Sequence, residues 1–408
     1  MRERLQKLKI KISNFKLKDM LSFKNLPLRR DKAIESAPDS DIKTSFPINE
    51  NSRKLHPNAQ HMTVLGIIEH PDSGARTLVL RKADGTSAAW FRAGQYVSVR
   101  LKIGDSLVSR PYSISSSPKD TEDGRLCITV KENPGGFVAD YMLRDLKEGD
   151  SLLVSGPEGQ FFHDNLRDSR NVIAVAGGSG ITPFLSMAAA IRDGIEDFNL
   201  TILYGSRTER SILFRKELDE IASQTEKVKV IHVLSDERKE GFEFGFVTAD
   251  LIRTHAPEDY SLFICGPAGL YRHMEGVVSE LGLPARRVRR EIIGVSGKPV
   301  SAENESPDTY YDLTVIQGPE TYCIKASSRE TLLVAMERAG IAAPAKCRSG
   351  ECGWCRSKVI SGSYTASGQN DYRRHMDKET DHIHPCVTFP DSDIVLEVPR
   401  GEKIQAEV

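Results

Sequence analysis

Val172-Ile173-Ala174-Val175-Ala176-Gly177-Gly178-Ser179-Gly180-Ile181-Thr182-Pro183 reads as a buried strand, a glycine turn and the first turn of a helix. Proline suits that first turn, where its missing N–H costs nothing, and the helix start then presents backbone N–H groups that stabilise a pyrophosphate. Pro183 stands where the G-x-G-x-x-G fingerprint would have its third glycine. A dinucleotide site and a tight turn without a ligand therefore both remain open. Working outward, helix-like stretches reaching Arg192 and around Leu213 to Ala222 alternate with the apolar runs Leu200–Tyr204, Val228–Leu234 and Leu262–Cys265. Strands alternating with helices predict βαβ units on a parallel sheet.

Upstream the rhythm differs. From Met62 to about Phe162, strand-like runs (Val64–Ile68, Thr77–Leu80, Tyr96–Leu101, Leu126–Val130, Ser151–Ser155) are separated by Gly, Pro, Asp and Asn, with one helical stretch from about Val138 to Leu146. This predicts a small β-barrel. Arg110-Pro111-Tyr112-Ser113 closes a strand-like run there, and Gly135-Gly136 leads into the helix near Phe137. An arginine for phosphate, a ring for a flat cofactor, a hydroxyl and a helix start would hold a flavin, although Arg and Tyr on a strand are also ordinary packing residues.

Downstream, a linker at about Val295–Asp308 leads to a segment of about a hundred residues. Within it Cys347, Cys352 and Cys355 are spaced x4 and x2, and Cys386 follows after thirty intervening residues. Four thiolates at that spacing hold a [2Fe–2S] cluster. Gly350 and Gly353 let the loop wrap closely and turn its N–H groups inward. Zinc sites repeat a short Cys pair twice, and the second pair is missing here.

The chain has 408 residues, 28% charged, with 56 Lys and Arg against 57 Asp and Glu. That balance argues against a protein living on bulk attraction to nucleic acid, and the length predicts two to four domains. No apolar run of membrane-spanning length or secretory h-region interrupts the sequence, and three of seven cysteines crowd into nine residues. The expectation is a cytoplasmic protein with metal ligation in a reducing compartment. Residues 1–33 carry eleven Lys or Arg and three acids, with Leu5, Leu8, Ile12 and Phe15 at near-heptad spacing. A basic amphipathic helix docking on a membrane surface or partner, packing on the protein's own body, and disorder all fit that pattern. The polar stretch to Pro57, with Pro38 and Pro47, reads as a linker.

Arg-Pro-Tyr-Ser, Gly-Gly-Ser-Gly-Ile-Thr-Pro, Cys265-Gly266-Pro267 and the four-cysteine loop occur in one order on one chain. Over about residues 60–400 the sequence resembles the ferredoxin–NADP reductase superfamily fused to a C-terminal plant-type ferredoxin domain, as in reductase components of Rieske oxygenases. The resemblance implies a flavin-binding β-barrel at 59–166, an NAD(P)-binding α/β domain at 167–296, a linker at 297–309 and a ferredoxin-like β-grasp domain at 310–408, after an extension at 1–58. It further implies that Arg110 binds a flavin phosphate, Tyr112 packs on the isoalloxazine and Ser113 hydrogen-bonds near its reactive N5. Gly135, Gly136 and Phe137 would give backbone amides to the pyrophosphate. The hydroxyl residue often found next is replaced by Val138 and Ala139. Gly178, Gly180 and Thr182 would line the nicotinamide dinucleotide, and Cys265, with Gly266 and Pro267, would sit beside the nicotinamide ring; a buried core thiol is the alternative for Cys265. Glu291-Ile292-Ile293-Gly294 lacks the aromatic residue that covers the flavin in many relatives, and Trp354 replaces a small hydroxyl residue between the last two loop cysteines. Trp354 then either shields the cluster or meets a partner.

Electron counting orders the domains. A nicotinamide gives up a hydride, whereas the cluster accepts single electrons, so a flavin between them must split the pair. Gly156-Pro157-Glu158-Gly159-Gln160-Phe161 resembles FAD-type members, which favours FAD over FMN. After the strand ending at Tyr204, Ser206 and Arg207 could meet the nucleotide, and an arginine there can pair with the 2′-phosphate of NADP. Most fused relatives use NADH, so NADH and NADPH both stand. The expectation is an NAD(P)H-dependent iron–sulfur flavoprotein reductase feeding a separate acceptor protein. A noncatalytic electron-transfer subunit and a broad diaphorase or flavin reductase are the rivals.

Overall fold

The computed structural model describes Lys32, Ser36 and residues 57–133, 135–291, 308–366 and 371–401. The amphipathic pattern at Leu5 to Phe15, the linker prolines Pro38 and Pro47, residues 292–294 and nearly all of the linker at 297–309 lie outside the described residues.

Strands β1 (Gln60–His70), β2 (Ala75–Lys82), β3 (Tyr96–Ile103), β4 (Ser106–Ser113), β5 (Arg125–Lys131) and β6 (Ser151–Val154) form an antiparallel sheet in the order β4-β3-β6-β1-β2-β5. A bridge between Ile114 and Ile128 joins its two ends, which removes the open edges. Alternate residues such as Leu78, Leu80, Val97, Val99 and Ile128 fill the interior. Pro111 sits on β4, whose ladder partner is β3, so its missing N–H spoils no second ladder. Helix α1 (Phe137–Arg144) lies between β5 and β6, starting one residue before the predicted limit and ending two before it.

The next sheet is wholly parallel, built from β7 (Asn171–Gly177), β8 (Asn199–Ser206), β9 (Val228–Leu234), β10 (Glu243–Phe244), β11 (Ser261–Cys265) and β12 (Val288–Arg290) in the order β10-β9-β8-β7-β11-β12. Helices α2 (Thr182–Arg192), α3 (Arg215–Gln224), α4 (Ala249–His255) and α5 (Ala268–Leu281) make the crossovers. Helix α3 starts after the predicted Leu213, because Ile212, Leu213 and Phe214 are consumed as a buried plug before it, with Phe214 at φ 61. Strand order reverses between β7 and β11, and the crevice outside the carboxyl ends of such strands is where ligands bind.

Helix α2 is buried on nearly every side because it is sandwiched between sheet and barrel. Phe161, at the end of the barrel, packs against Phe184 and Phe263 with ring centroids 5.7 and 5.3 Å apart. Beside it Arg289 pairs with Asp168 at 2.6 Å, both nearly free of solvent, and donates to Gln160 O at 2.7 Å. Three different interactions thus fix the barrel on the parallel sheet.

The C-terminal sheet contains β13 (Tyr310–Gln317), β14 (Glu320–Ser327), β15 (Ser357–Ser361), β17 (His382–Ile383) and β19 (Ile394–Glu397) in the order β14-β13-β19-β15-β17, with α6 (Leu332–Arg338) packed on it. β13 runs parallel to β19 and antiparallel to β14, as in a β-grasp fold. A ribbon of β16 (Tyr364–Ala366) and β18 (Thr388–Pro390) and the short α7 (His375–Glu379) complete it. This domain docks on β3 and β4: Ser98 and Ser109 donate their hydroxyls to the Lys346 and Ala345 carbonyls at 3.2 and 3.4 Å. Among the described residues no helix is long and apolar enough to cross a membrane.

Candidate functional site

A cleft of about 1060 Å³ opens between the barrel and the parallel sheet. Its walls bring together Arg110, Pro111, Tyr112 and Ser113 from β4, and Gly135, Gly136 and Phe137 from the start of α1. The opposite side supplies Gly178, Gly180 and Thr182 after β7, Arg207 after β8, and Cys265, Gly266 and Pro267 after β11. Ser206 is not among the lining residues; its buried hydroxyl has no partner among the described residues. The switch point of the sheet accounts for this convergence, since β7 and β11 are neighbours and end side by side. Gly180 is required there: a Cβ would lie 2.2 Å from the Cys265 carbonyl oxygen.

Three groups meet at the floor. Ser113 donates its hydroxyl to Glu291 Oε2 at 2.9 Å, and the Cys265 thiol reaches the same oxygen at 3.4 Å. Burial pushes the Glu291 carboxyl up to about 8, against the pull of those two hydrogen bonds. Burial likewise raises the Cys265 thiol, with the Glu291 carboxyl adding to it. Burial thus favours the protonated form of Glu291, whose buried Oε1 has no partner among the described residues. Tyr271 fixes the backbone beneath by donating to the Glu291 carbonyl. Cys265 is both buried and part of the cleft wall, so the two sequence readings of it describe one position.

Sequence reasoning missed Glu291 as a site residue, noticing only that no aromatic residue follows it. It also missed Lys131, which lines the cleft near Gly178. Burial lowers the Lys131 ammonium, helped by repulsion from Arg207. Two cations therefore face the nucleotide side of the cleft. The signal available for Lys131 was its place at the end of a barrel strand, shortly before Gly135.

The cysteine loop lies close to this floor: Cys347, Glu351 and Cys352 line one pocket with Glu291 and Tyr96. Cys347 Sγ accepts from the backbone N–H groups of Ser349 and Cys352, both at 3.5 Å, and Cys352 Sγ from that of Trp354 at 3.4 Å. Cys355 and Cys386 stand with sulfurs 3.4 Å apart. The Cys352 thiol and the backbone donors hold the Cys347 thiol down at about 5, on the side of the thiolate that ligates metal. Gly350, at φ +82, turns the loop hard against Val387, where a Cβ would meet the side chain at 2.9 Å.

The four sulfurs thus form two pairs, Cys347 with Cys352 and Cys355 with Cys386. Among the described residues no three His, Cys, Asp or Glu side chains converge on a single ion. Two pairs suit two irons better than one tetrahedral zinc. The buried hydroxyl of Ser349, unpartnered among the described residues, is a further donor for cluster sulfur. The Trp354 ring is half exposed with Lys346 Nζ 3.7 Å above its centre, and its backbone N–H, rather than a side-chain hydroxyl, reaches the cysteine sulfur.

Three family models match in sequence order: the oxidoreductase FAD-binding domain over residues 73–163, the oxidoreductase NAD-binding domain over 174–276 and the 2Fe-2S iron-sulfur cluster binding domain over 315–391. The glycine betaine monooxygenase reductase subunit of Chromohalobacter salexigens is 28% identical over 336 residues, covering 77% of this chain and 89% of its own length. NADH-cytochrome b5 reductase 1 of Candida glabrata is 32% identical over 209 residues, 50% of this chain and 72% of that protein. The structure of phthalate dioxygenase reductase matches with a TM-score of 0.61 at 24% identity, covering 84% of this chain and 98% of that one, and shows the same fold. With all three domains in order and the motif residues gathered at their junctions, the chain belongs to the ferredoxin–NADP reductase superfamily, as a flavoprotein with a C-terminal plant-type [2Fe–2S] domain.

Proposed function

We propose that this protein is an NAD(P)H-dependent reductase that passes single electrons to a separate oxygenase component. The observation that carries the reading is the gathering of flavin motif, nucleotide motif and a cluster-loop residue, Arg348, on one cleft. A flavin held there would supply the conversion between two-electron exchange with a nicotinamide and one-electron exchange with a cluster. The chain's own residues prepare that exchange. Tyr112 gives the flavin a flat face, and Gly178, Gly180 and Thr182 set the nicotinamide dinucleotide at the strand ends. Ser113, whose hydroxyl is turned to Glu291 Oε2 here, stands where it would meet the reactive nitrogen of a bound flavin. Cys265 bounds the nicotinamide position and helps exclude water. Cys347, Cys352, Cys355 and Cys386 hold the cluster. FAD is the flavin favoured. A relative named as the reductase subunit of a monooxygenase supports an oxygenase as acceptor, and the full five-stranded C-terminal sheet argues against a subunit with only a short cysteine-rich tail.

Cys352→Ala tests the order of carriers. It should abolish cluster-dependent one-electron reduction of an acceptor protein and leave NAD(P)H-to-ferricyanide turnover, which draws on flavin, nearly intact. Survival of both activities with an unchanged EPR signal would remove Cys352 from the ligand set. We also assign the basic segment at 1–33 to docking on an acidic partner or an anionic membrane surface. Deleting residues 1–47 should leave ferricyanide turnover unchanged while acceptor or anionic-liposome binding weakens and loses its salt dependence. Loss of flavin on deletion would show instead that the segment packs on the barrel.

A further inference from the structure

Glu337 lies on α6 of the C-terminal domain, 3% exposed, and groups from two domains surround its carboxylate. Oε1 accepts from the Ser109 backbone N–H at 3.0 Å and from Arg348 Nη1 at 2.6 Å, and Oε2 accepts from Arg110 Nη1 at 3.0 Å. The Ser109 carbonyl also accepts from both guanidinium groups, at 2.8 Å from Arg110 and 3.3 Å from Arg348. Two cations therefore share one anion, which leaves a surplus positive charge in a place where an unbalanced charge is costly. Both arginines line the large cleft. Among the described residues only their Nη1 atoms are engaged, so the Nε and Nη2 donors of each remain for a ligand. A guanidinium held at one corner with its other donors open suits a phosphate oxygen.

We propose that Arg348, supplied by the cluster loop, is a second flavin-phosphate-binding residue, and that Glu337 is the positioning residue that aims both guanidinium groups. The inference rests on reading the cleft as the flavin site. The Glu337 carboxylate and the flavin phosphate then supply the negative charge the two arginines face, and the anionic end of the flavin site is assembled from two domains. Flavin retention depends on the docked C-terminal domain, although the flavin motif lies wholly in the barrel. The residue next to the first cluster ligand is thereby tied to the flavin itself, which holds the two redox groups in a set relation.

The test titrates flavin-free full-length protein with FAD, FMN and riboflavin by flavin fluorescence, with the [2Fe–2S] absorbance and EPR signal reporting the loop. Arg348→Gln should weaken FAD and FMN by about tenfold to a hundredfold and leave riboflavin, which has no phosphate, nearly unchanged. Glu337→Gln, which loosens the aim of both guanidinium groups, should also weaken FMN relative to riboflavin, by less than Arg348→Gln does. A purely structural role would weaken all three flavins in both variants. Equal effects on FMN and riboflavin, or none, in Arg348→Gln with its cluster intact overturn the proposal. If that variant loses its cluster, Glu337→Gln decides, and an unchanged ratio of FMN to riboflavin affinity overturns it. Wild-type protein that takes up no flavin would refute the reading of the cleft as well.

Discussion

Glu291→Gln isolates the cost of a buried acid. The carboxyl stands at about 8 in the folded protein against an ordinary 4.5, a difference worth about 5 kcal/mol between its two protonation states. Its sign is set by linkage. Below about pH 4.5 the folded and unfolded chains are both protonated and the group costs nothing. As pH rises toward 8 the unfolded chain releases a proton that the fold retains, so stability falls by about 1.4 kcal/mol per pH unit, then levels off once the folded carboxyl ionises. At pH 7 the accumulated penalty is about 3 kcal/mol. Glutamine keeps the shape and the Ser113 contact without the titration. The measurement is urea unfolding of flavin-free wild type and variant across pH 5 to 8, the midpoint difference multiplied by their common slope. The variant should gain steadily on the wild type across that window. Taking the difference between two proteins cancels every other titrating group. A difference that stays constant with pH, or an infrared carboxylate band for Glu291 already present at pH 6, would refute the reasoning.

Arg289→Met strands the fully buried Asp168 carboxylate and should cost about 3 to 5 kcal/mol; thermal unfolding should show the loss, with Asp168→Asn recovering part of it in the double variant. Arg207→Asp should raise the KM for NADPH about tenfold to a hundredfold more than that for NADH if Arg207 reads a 2′-phosphate, since Lys131 would remain for the shared phosphates. Equal rises for both nucleotides would place Arg207 on the common pyrophosphate instead.

Contiguous residues by themselves determined the chemistry of this protein. A glycine turn that bares backbone N–H groups, and cysteines spaced to wrap a cluster, work through neighbouring peptides, so their geometry is encoded in spacing. The run from Val172 to Pro183 likewise announces a parallel sheet, because a strand buried on both faces followed at once by a helix has few other places to go. Tertiary structure alone decided which side chains answer one another. Glu291 meets Ser113 across 178 positions and Cys265 across 26; the strand order that sets β11 beside β12 makes the second contact, and the docking of the barrel on the parallel sheet makes the first. The surface covering β4, from Glu337 to Arg348, arrives more than two hundred residues later in the chain. Arg110 reads in sequence either as a flavin-phosphate ligand or as an ordinary packing residue. Its pairing with Glu337, and the shared hold on Arg348, depend on a domain interface whose residues follow no local period, and a buried carboxylate between two guanidinium groups can be recognised only once the chain has brought them within hydrogen-bond reach.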